Sequence, residues 1–306
     1  MKVTILAGGT GGTKLGHGFA QLPEVELTVI ANVGDDVEMH GHLVCPDIDA
    51  LLYTLSGLID TDQGWGVRGD THTAHSMFER LGAPAWFRIG DADLAMHATR
   101  ARLMRDEGAS LTDAVATLAA ALGIGTRILP TTDDRWRTVL DTDEGTMEFQ
   151  EYFVRRRQEP EVRGVRFDGD AQPTPSVLEA IAAADIVVIG PSNPIVSIGP
   201  ILALPGIREA LAAASAQKVA VSPIVAGRAL KGPADRMLAS LGHEASALGV
   251  ARIYAGIVDR FFIDDADAAL APSIEAEAGM SVSVSPTVMR TDGDRRALAA
   301  AIAGAA

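Results

Sequence analysis

The sequence VTILAGGTGGTKLGHGFAQ occupies residues 3–21, and it decides the expected fold. The apolar run at 3–7 predicts a strand, the glycine-rich segment at 8–12 predicts a turn, and residues 13–21 are compatible with a helix. A second apolar run at 26–31 predicts another strand. Together these segments form one βαβ unit, with which a parallel sheet begins.

Two later apolar runs predict further strands of the same sheet. Residues 184–190 and 218–222 have the continuous apolar character of strands that are covered on both faces. Each of them follows a helical pattern, at 176–183 and at 207–214 respectively. The alternation of strand and helix is typical of an α/β protein with helices on both sides of the sheet.

The middle of the chain has a mostly helical pattern. Helices are predicted at 71–81, 91–107 and 111–122, and a β-hairpin is predicted from the segments 137–141 and 146–153. We therefore expect one α/β domain over residues 1–306. Its core is a Rossmann-like, doubly wound, mostly parallel sheet, and a largely helical insertion with a hairpin lies at about 60–172.

Composition excludes several classes of protein. The chain of 306 residues has 26 basic and 40 acidic residues, and its net charge of -14 gives no general attraction to nucleic acid or to an anionic membrane. A single cysteine, Cys45, excludes a disulfide within the chain. The uncharged stretch at 186–207 is long enough to span a bilayer, but its four prolines and three glycines predict a strand, a loop and a short helix instead. With no secretory-signal pattern, we expect a cytoplasmic protein.

The glycine-rich segment suggests a phosphate site. Backbone N–H groups between a strand and a helix N-terminus can approach a phosphate closely where no Cβ intervenes. Leu15 follows Lys14, so the segment is not a Walker A loop, and Lys14 stands where a dinucleotide fingerprint needs Gly or Ala. A plain glycine turn for tight packing remains an alternative.

Acidic and histidine side chains follow the second predicted strand. Their segment lies at 32–49, where open α/β sheets bind ligands, and its carboxylates suit Mg²⁺ together with phosphate oxygens. Zinc at His40 and His42 has little support, because apart from Cys45 no further Cys or His stands at metal spacing. Helix capping is the alternative function of Asp47 and Asp49.

Three other loops carry polar side chains. Arg88, Asp91 and Asp93 precede a predicted helix that carries His97 and Arg100, and capping alone explains the acidic pair better than Arg88. Two further loops, at 190–200 and at 222–227, follow the later strands and could together form a cleft for a nucleotide. The sequence contains no G-x-S-x-G, H-E-x-x-H or C-x-x-C motif, which leaves phosphate chemistry without a covalent nucleophile.

These loops, in this order, closely resemble the CofD/FbiA family over nearly the whole chain. The resemblance rests on GGTGG at 8–12, NVGDD at 32–36, PDID at 46–49, GWG at 64–66, GDADLAMH at 90–97, GPSNP at 190–194 with SIGP at 197–200, and SPI at 222–224. The family comprises the 2-phospho-L-lactate and phosphoenolpyruvate transferases of coenzyme F-420 biosynthesis. One departure is Ala92, since relatives often carry Arg or Lys there, and Arg88 could partly replace that charge.

The resemblance implies a Rossmann-like core, Mg²⁺, a donor linked to guanosine diphosphate, a partner guanylyltransferase that supplies this donor, the deazaflavin Fo as acceptor, and a homodimer. It implies the following roles. The metal ligands are Asp35, Asp36 and Asp47. The donor is bound by Gly8, Gly9, Thr10, Gly11, Gly12, Lys14, Ser192, Asn193 and Ser197. The catalytic pair is Asp49 and Arg88, and the acceptor is bound by Asp49, Arg88, Asp91 and His97.

Two other functions remain open from the sequence. One is a regulatory protein of the same superfamily that binds a nucleotide sugar, which needs the glycine segment but no deazaflavin site. Asp49, Arg88 and the Gly-Asp-x-Asp run favour a transferase over it. The other is a nicotinamide-dependent oxidoreductase, against which the incomplete dinucleotide fingerprint counts. The sequence does not discriminate a phospholactyl, an enolpyruvyl and a 3-phosphoglyceryl donor.

Overall fold

A computed structural model describes residues 1–305 of the chain. The strands β1 to β14, in chain order, are Lys2–Ala7, Glu26–Ala31, Val37–Met39, His42–Val44, Arg127–Pro130, Arg137–Thr142, Gly145–Glu148, Val162–Asp168, Ile186–Ile189, Gln217–Val221, Ile224–Val225, Arg228–Ala229, Arg260–Ile263 and Ser281–Val284. The helices α1 to α12 are Gly9–Ala20, Pro46–Leu55, Thr73–Arg80, Asp91–Ala101, Leu111–Ala121, Pro175–Ala182, Gly199–Leu202, Ile207–Ala213, Ala234–Ser240, Ala247–Tyr254, Ala271–Ala278 and Asp292–Ala303. Short π-helices lie at Arg102–Asp106 and Glu151–Arg155, and a 3-10 helix lies at Asp265–Leu270.

The main sheet has seven strands, all parallel, in the order β14-β13-β10-β9-β1-β2-β5. This confirms the expected Rossmann-like α/β fold, with a sheet that is parallel throughout. The strand order reverses between β1 and β9, because the chain first builds the sheet outward through β2 and then returns to the other side of β1. Open α/β sheets bind their ligands at such a switch point.

The core of the sheet consists of apolar strands covered by helices. All four residues of β9 are buried, as are the last five of β1, which explains why both read as continuous apolar runs. Burying an Ile, Val or Leu side chain contributes roughly 1.5–3 kcal/mol, so these central strands supply much of the stability. They hold the loops at their carboxyl ends in fixed positions.

The segment at 60–172 contains more strand than its pattern predicts. β5 was not predicted, although it pairs with β2 and forms one edge of the main sheet. β8 was not predicted either, and it pairs with β6 in the three-stranded antiparallel sheet β7-β6-β8. The hairpin prediction was correct for β6 and β7 but wrong beyond Glu148, because the chain turns into the π-helix at Glu151–Arg155.

That π-helix packs its aromatic residues into a small second core. Phe149 and Tyr152 are buried there with Leu140 of β6, and Phe149 stacks on Phe153 with a centroid distance of 5.3 Å. The apolar residues after Glu148, which the pattern assigned to a longer strand, therefore pack into this core from a helical turn. Within residues 1–305, no helix is both long enough and apolar enough to cross a membrane.

Candidate functional site: a cleft at the switch point

A cleft of about 720 Å³ opens at the carboxyl ends of β1, β2, β9 and β10. Most of the residues singled out in the sequence line it: Gly8, Gly9, Thr10, Gly11, Lys14, Asp35, Asp47, Asp49, Arg88, His97, Ser192, Asn193 and Ser197. The other three, Gly12, Asp36 and Asp91, are not among the lining residues. The structure therefore brings together loops that are up to 189 residues apart in the sequence.

The glycine-rich segment forms the first turn of α1 and the loop before it. α1 begins at Gly9, and Gly9, Thr10 and Gly11 of its first turn line the cleft. The first N–H groups of a helix have no partner within the helix and can bind an anion, although the Gly9 N–H already donates to Asp47. The same glycines also allow close packing, since a Cβ on Gly11 would stand 1.9 Å from the carbonyl oxygen of Pro191. A Cβ on Gly12 would stand 2.8 Å from both Ala7 Cβ and Ser192 Oγ. The close packing that the sequence offered as the alternative is therefore present, and an anion site would lie in the same turn.

We expect Gly11→Ala to destabilise the protein by about 2 kcal/mol, because the new methyl group meets backbone that cannot move aside easily. The matched control is Gly125→Ala, where an added Cβ meets nothing within 4 Å. Urea unfolding of both variants measures the difference. Equal stability of the two variants would contradict the close approach of α1 to the loop after β9.

Asp35 and Asp47 form a buried carboxylate pair in the cleft. Asp47 Oδ1 accepts a hydrogen bond from the Gly9 N–H at 2.5 Å, and Asp47 Oδ2 accepts one from Asn32 Nδ2 at 2.9 Å. Burial raises the pKa of Asp47 to about 6, although these two hydrogen bonds act in the opposite direction. Burial, and then the charge of Asp47, raise the pKa of Asp35 well above its usual range. Two buried acids side by side are a natural place for a cation.

Asp36 does not belong to this pair, because its carboxyl group points into the protein. Burial raises the pKa of Asp36 to about 7, and Arg137, a hydrogen bond with Cys45, and Arg100 act in the opposite direction. Of the three expected metal ligands, Asp35 and Asp47 line the cleft and Asp36 does not. Successive residues of the loop after β2 point to opposite sides, which the sequence alone does not reveal.

Asp36→Asn should change how stability depends on pH. The folded pKa of Asp36 is raised, so between about pH 4 and pH 7 the folded wild type keeps a proton that the unfolded chain loses, and its stability falls as the pH rises. The variant lacks this effect. Its free energy of unfolding relative to wild type should therefore increase by about 4 kcal/mol across that window. Urea unfolding from pH 4 to pH 8 measures this difference in stability, and Asp170→Asn at an exposed position is the control. If the free energies of unfolding of Asp36→Asn and wild type changed with pH in parallel, the prediction would be refuted.

Asp49 has an arginine partner, but the partner is Arg100 and not Arg88. Arg100 is fully buried on α4, and its Nη2 donates to Asp49 Oδ1. Arg88 lies elsewhere along the cleft wall, with its Nη2 3.4 Å from His72 Nδ1. Arg88 and Asp49 thus line the same cleft. Among residues 1–305, the arginine that forms an ion pair with Asp49 is Arg100 and not Arg88.

A group that could hold a metal ion lies beside Asp49. One ligand atom from each of Asp49, Asp93 and His97 falls within 4.8 Å of the others, and His97 is fully buried. His97 Nδ1 lies 3.5 Å from Asp49 Oδ2, and His97 Nε2 lies 3.3 Å from Asp93 Oδ1. The guanidinium of Arg100 already brings a positive charge to this group.

Asp91 stabilises a helix outside the cleft. Its Oδ2 accepts from Thr71 Oγ1 at 2.5 Å and from the Thr73 N–H at 3.1 Å, while its Oδ1 accepts from the Ala74 N–H at 2.9 Å. These bonds satisfy the free N–H groups at the start of α3. Asp91 therefore caps α3 and not α4, the helix for which the sequence suggested a cap, whereas Asp93 lines the cleft.

The loop after β9 closes the other side of the glycine turn. Ser192 Oγ accepts from the Gly8 N–H at 3.4 Å, and Asn193 Oδ1 accepts from the Ile195 N–H at 2.9 Å. The Asn193 side chain thus shapes its own loop, as expected of an Asx turn. Ser197 Cβ lies 2.8 Å from where a Cβ on Gly8 would stand, so Ser192 and Ser197 keep the two loops close together.

Sequence reasoning missed part of the cationic wall. Lys231 and Arg290 line the cleft with Lys14, whose Nζ donates to the carbonyl oxygen of Met289 at 3.1 Å. Burial and then the positive charges of Arg295 and Lys231 lower the pKa of Lys14. No ion pair joins Lys14, Lys231 or Arg290 to a carboxylate within the described part of the chain. They come from separate segments, so no local motif marks them.

The cleft also gathers a large share of the chain's aromatic side chains. The protein has only 3 Trp, 3 Tyr and 8 Phe. Those that line the cleft are Tyr53, Trp65, Trp86, Phe87, Phe149 and Phe153. Trp65 is 45% exposed, so it lies at the mouth where a ligand could cover it. Aromatic walls of this kind suit a flat ring system.

Fold and cleft together are those of a Rossmann-like α/β protein with a cleft at the switch point of its sheet, lined by a glycine turn and by basic side chains. The sequence matches the family model "2-phospho-L-lactate transferase CofD" over residues 3–296. The chain therefore belongs to the CofD family, and it is a CofD-type transferase of coenzyme F-420 biosynthesis.

Individual relatives support this assignment. The 2-phospho-L-lactate transferase of Methanothermobacter thermautotrophicus is 41% identical over 99% of this chain and 97% of the relative. The phosphoenolpyruvate transferase of Streptomyces griseus is 41% identical over 97% of this chain and 95% of the relative. A crystal structure of a UPF0052 protein from Bacillus halodurans has a TM-score of 0.64 at 20% identity, covering 98% of this chain and 99% of that one, which shows the shared fold.

Proposed function

We propose that this chain transfers a phosphorylated three-carbon acid from a guanosine diphosphate-linked donor to the deazaflavin Fo, releasing GMP. The similarity over nearly the whole chain to both a 2-phospho-L-lactate transferase and a phosphoenolpyruvate transferase carries the proposal. The transferred group is phospholactyl, enolpyruvyl phosphate or 3-phosphoglyceryl. The similarity at equal identity to both named kinds of transferase does not select one of them.

The bond changes follow from the substrates. The terminal hydroxyl of the Fo ribityl chain attacks the donor phosphorus that carries the three-carbon acid, and a new P–O bond forms. The bond from that phosphorus to the oxygen of GMP breaks, and GMP leaves with the electron pair. Phosphoryl-group transfer of this kind depends on positioning and on neutralising phosphate oxygens more than on covalent chemistry by the protein.

The donor fits the side of the cleft that is formed by the glycine turn and the lysines. The N–H groups at the start of α1 and the charge of Lys14 would hold the diphosphate. Ser192, Asn193 and Ser197 lie next to this turn and would help fix the guanosine end. Local cations are required here, because the protein as a whole has a charge of -14 and repels anions.

The buried carboxylate pair fits a divalent cation. Asp35 Oδ1 is buried without a hydrogen-bond partner in residues 1–305, and the pKa values of Asp35 and Asp47 are raised because no counter-charge offsets their burial. Asp35 and Asp47 would hold Mg²⁺, which in such sites neutralises diphosphate oxygens. Asp36 is left out of the proposed ligand set, because it does not line the cleft.

The acceptor fits the aromatic side of the cleft. Trp65, Trp86 and Phe87 can flank the deazaflavin ring, while Arg88 and His97 lie nearby on the same wall. Asp49 also lines the cleft, and it would orient the attacking hydroxyl and receive its proton. Asp91 has no part in this arrangement, since its oxygens are used at the start of α3.

The test is a reconstitution with defined substrates. The purified protein is incubated with Fo, Mg²⁺, GTP and an active guanylyltransferase, and 2-phospho-L-lactate, phosphoenolpyruvate and 3-phospho-D-glycerate are supplied in turn. A product whose mass equals Fo plus one acid phosphate establishes the transfer and names the donor. No product with any of the three, while the guanylyltransferase consumes GTP, would refute the proposal and favour binding of a nucleotide sugar.

Three further expectations stay predictions. The first is that the protein is a homodimer, and the second is that a partner guanylyltransferase supplies the donor. The third is that the chain forms a single domain with a helical insertion at about 60–172. Light scattering of the purified protein measures the first of them. The reconstitution above addresses the second, since omission of the guanylyltransferase should abolish product formation.

A further inference from the structure

A buried polar contact joins helices α2 and α4 behind the acceptor side of the cleft. Asp93, His97 and Arg100 follow one another at spacings of four and three, so they lie on one face of α4. Asp49 and Tyr53 have the same relation on α2. Tyr53 OH donates to Asp93 Oδ1 at 2.6 Å, His97 lies between the two acids, and Arg100 donates to Asp49.

The contact holds the Asp49 carboxylate from behind on both of its oxygens. Asp49 Oδ1 accepts from Arg100 Nη2, and Asp49 Oδ2 accepts from the Cys45 N–H at 3.2 Å. Arg100 is itself anchored, because its Nη1 donates to the carbonyl oxygen of Leu43 at 3.1 Å. Asp49 is only 4% exposed, and this small exposed part faces the cleft. One orientation of the carboxylate is therefore strongly favoured.

Stability alone does not explain why charged residues occupy this contact. Removing an arginine and an aspartate from water is costly, and well-packed apolar residues of similar volume commonly serve as well or better. Arg100 is fully buried and lines no part of the cleft itself. What the charged contact provides, and an apolar one would not, is a fixed direction for the Asp49 carboxylate.

We propose that Arg100 is a positioning residue, which acts on the transfer reaction only through Asp49. The inference rests on the proposed function, in which Asp49 orients the hydroxyl of the acceptor. Loss of Arg100 would let the Asp49 carboxylate rotate, and small misplacements of a reacting group reduce rates strongly. The donor is proposed to bind at the glycine turn, and the hydrogen bonds of Arg100 go to Asp49 and Leu43 instead, so we expect donor binding not to depend on Arg100.

The experiment is a double-mutant cycle with Arg100→Met, Asp49→Asn and the combined variant. We expect Asp49→Asn to lower kcat by about 100-fold and Arg100→Met to lower it by about 10-fold to 100-fold. The combined variant should be no slower than Asp49→Asn alone, because Arg100 then has no carboxylate to position. KM for the donor should stay within about twofold of wild type in all three variants.

Two further variants separate positioning from folding. Arg100→Lys keeps the charge but cannot hold both Asp49 and Leu43 in the geometry of a guanidinium, so it should recover only part of kcat. If Arg100→Met does not fold, the kcat of Arg100→Lys tests whether Arg100 positions Asp49. Arg102→Met is the control, because Arg102 is exposed on the next turn and pairs with Glu107, and wild-type kinetics are expected.

The outcomes distinguish the two claims. Wild-type kcat in Asp49→Asn would remove Asp49 from the proposed function. A large loss in Asp49→Asn together with a further, multiplied loss in the combined variant would show that Arg100 acts by another route, and it would overturn the present inference. Wild-type kcat in Arg100→Lys or Arg100→Met would overturn it as well.

Discussion

Asp47→Asn is expected to lower kcat/KM for the donor by about 10²–10³-fold, the magnitude typical of losing one charge-stabilising group in an active site. The substitution keeps the size of the side chain and an acceptor for the Gly9 N–H. It removes the negative charge beside Asp35 that the proposed metal site needs. The amide group also meets Asn32 Nδ2, which then has no carboxylate oxygen as its acceptor.

A titration with Mg²⁺ shows whether the loss arises at the metal site. Asp47→Asn should need at least about tenfold more Mg²⁺ for half-maximal rate, because one of two proposed ligands has lost its charge. Asp170→Asn, at an exposed position outside the cleft, is the matched control and should behave as wild type. An unchanged Mg²⁺ requirement in Asp47→Asn would place the ion elsewhere, with Asp49, Asp93 and His97 as the next candidates.

The central strands could be predicted because each is buried on both faces. β1, β2, β9 and β10 are short apolar runs between helical patterns. In an α/β protein such a run is usually a buried strand of the parallel sheet. β14 could not be found in the same way, because Ser281–Val284 alternates polar and apolar residues at the sheet edge. Edge strands are specified by their neighbour more than by their own sequence.

The cleft could be predicted in part for a related reason. Loops at the carboxyl ends of parallel strands converge, so the glycine turn, Asp35, Asp47 and Ser192 were expected together and are found together. Their neighbours show the limit of such reasoning. Asp36 is adjacent to Asp35 in the sequence and yet points into the core, since the direction of a side chain in a loop depends on backbone angles that no spacing rule gives.

Sequence spacing does not predict which residues contact each other when they are far apart along the chain. The family resemblance implies that Asp49 and Arg88 act as a pair, whereas the arginine that contacts Asp49 is Arg100, which stands more than two turns into α4. The sequence showed Arg100 on the same helix as His97, but not that this face of α4 meets α2. Only the packing of the two helices brings the guanidinium to the carboxylate.

Lys231→Met is expected to raise KM for the donor by about 10-fold to 100-fold, with kcat changed by less than about threefold. Lys231 comes from the loop after β12 and lines the cleft together with Lys14, and its charge contributes to the lowered pKa of Lys14. Two lysines that repel each other without a carboxylate between them raise the free energy of the empty site. A polyanionic donor relieves that repulsion, so part of its binding energy comes from the pair.

The control for this prediction is Lys218→Met. Lys218 pairs with Asp259 at 3.3 Å near the start of β10, which is the opposite edge of the sheet from the cleft, and the substitution should leave KM unchanged. Added salt should weaken donor binding in wild type more than in Lys231→Met, because screening removes an attraction that the variant has already lost. Equal salt dependence in the two proteins, or an unchanged KM in Lys231→Met, would exclude Lys231 from the donor site. The positive charge that attracts the donor would then come from Lys14 and Arg290, which also line the cleft.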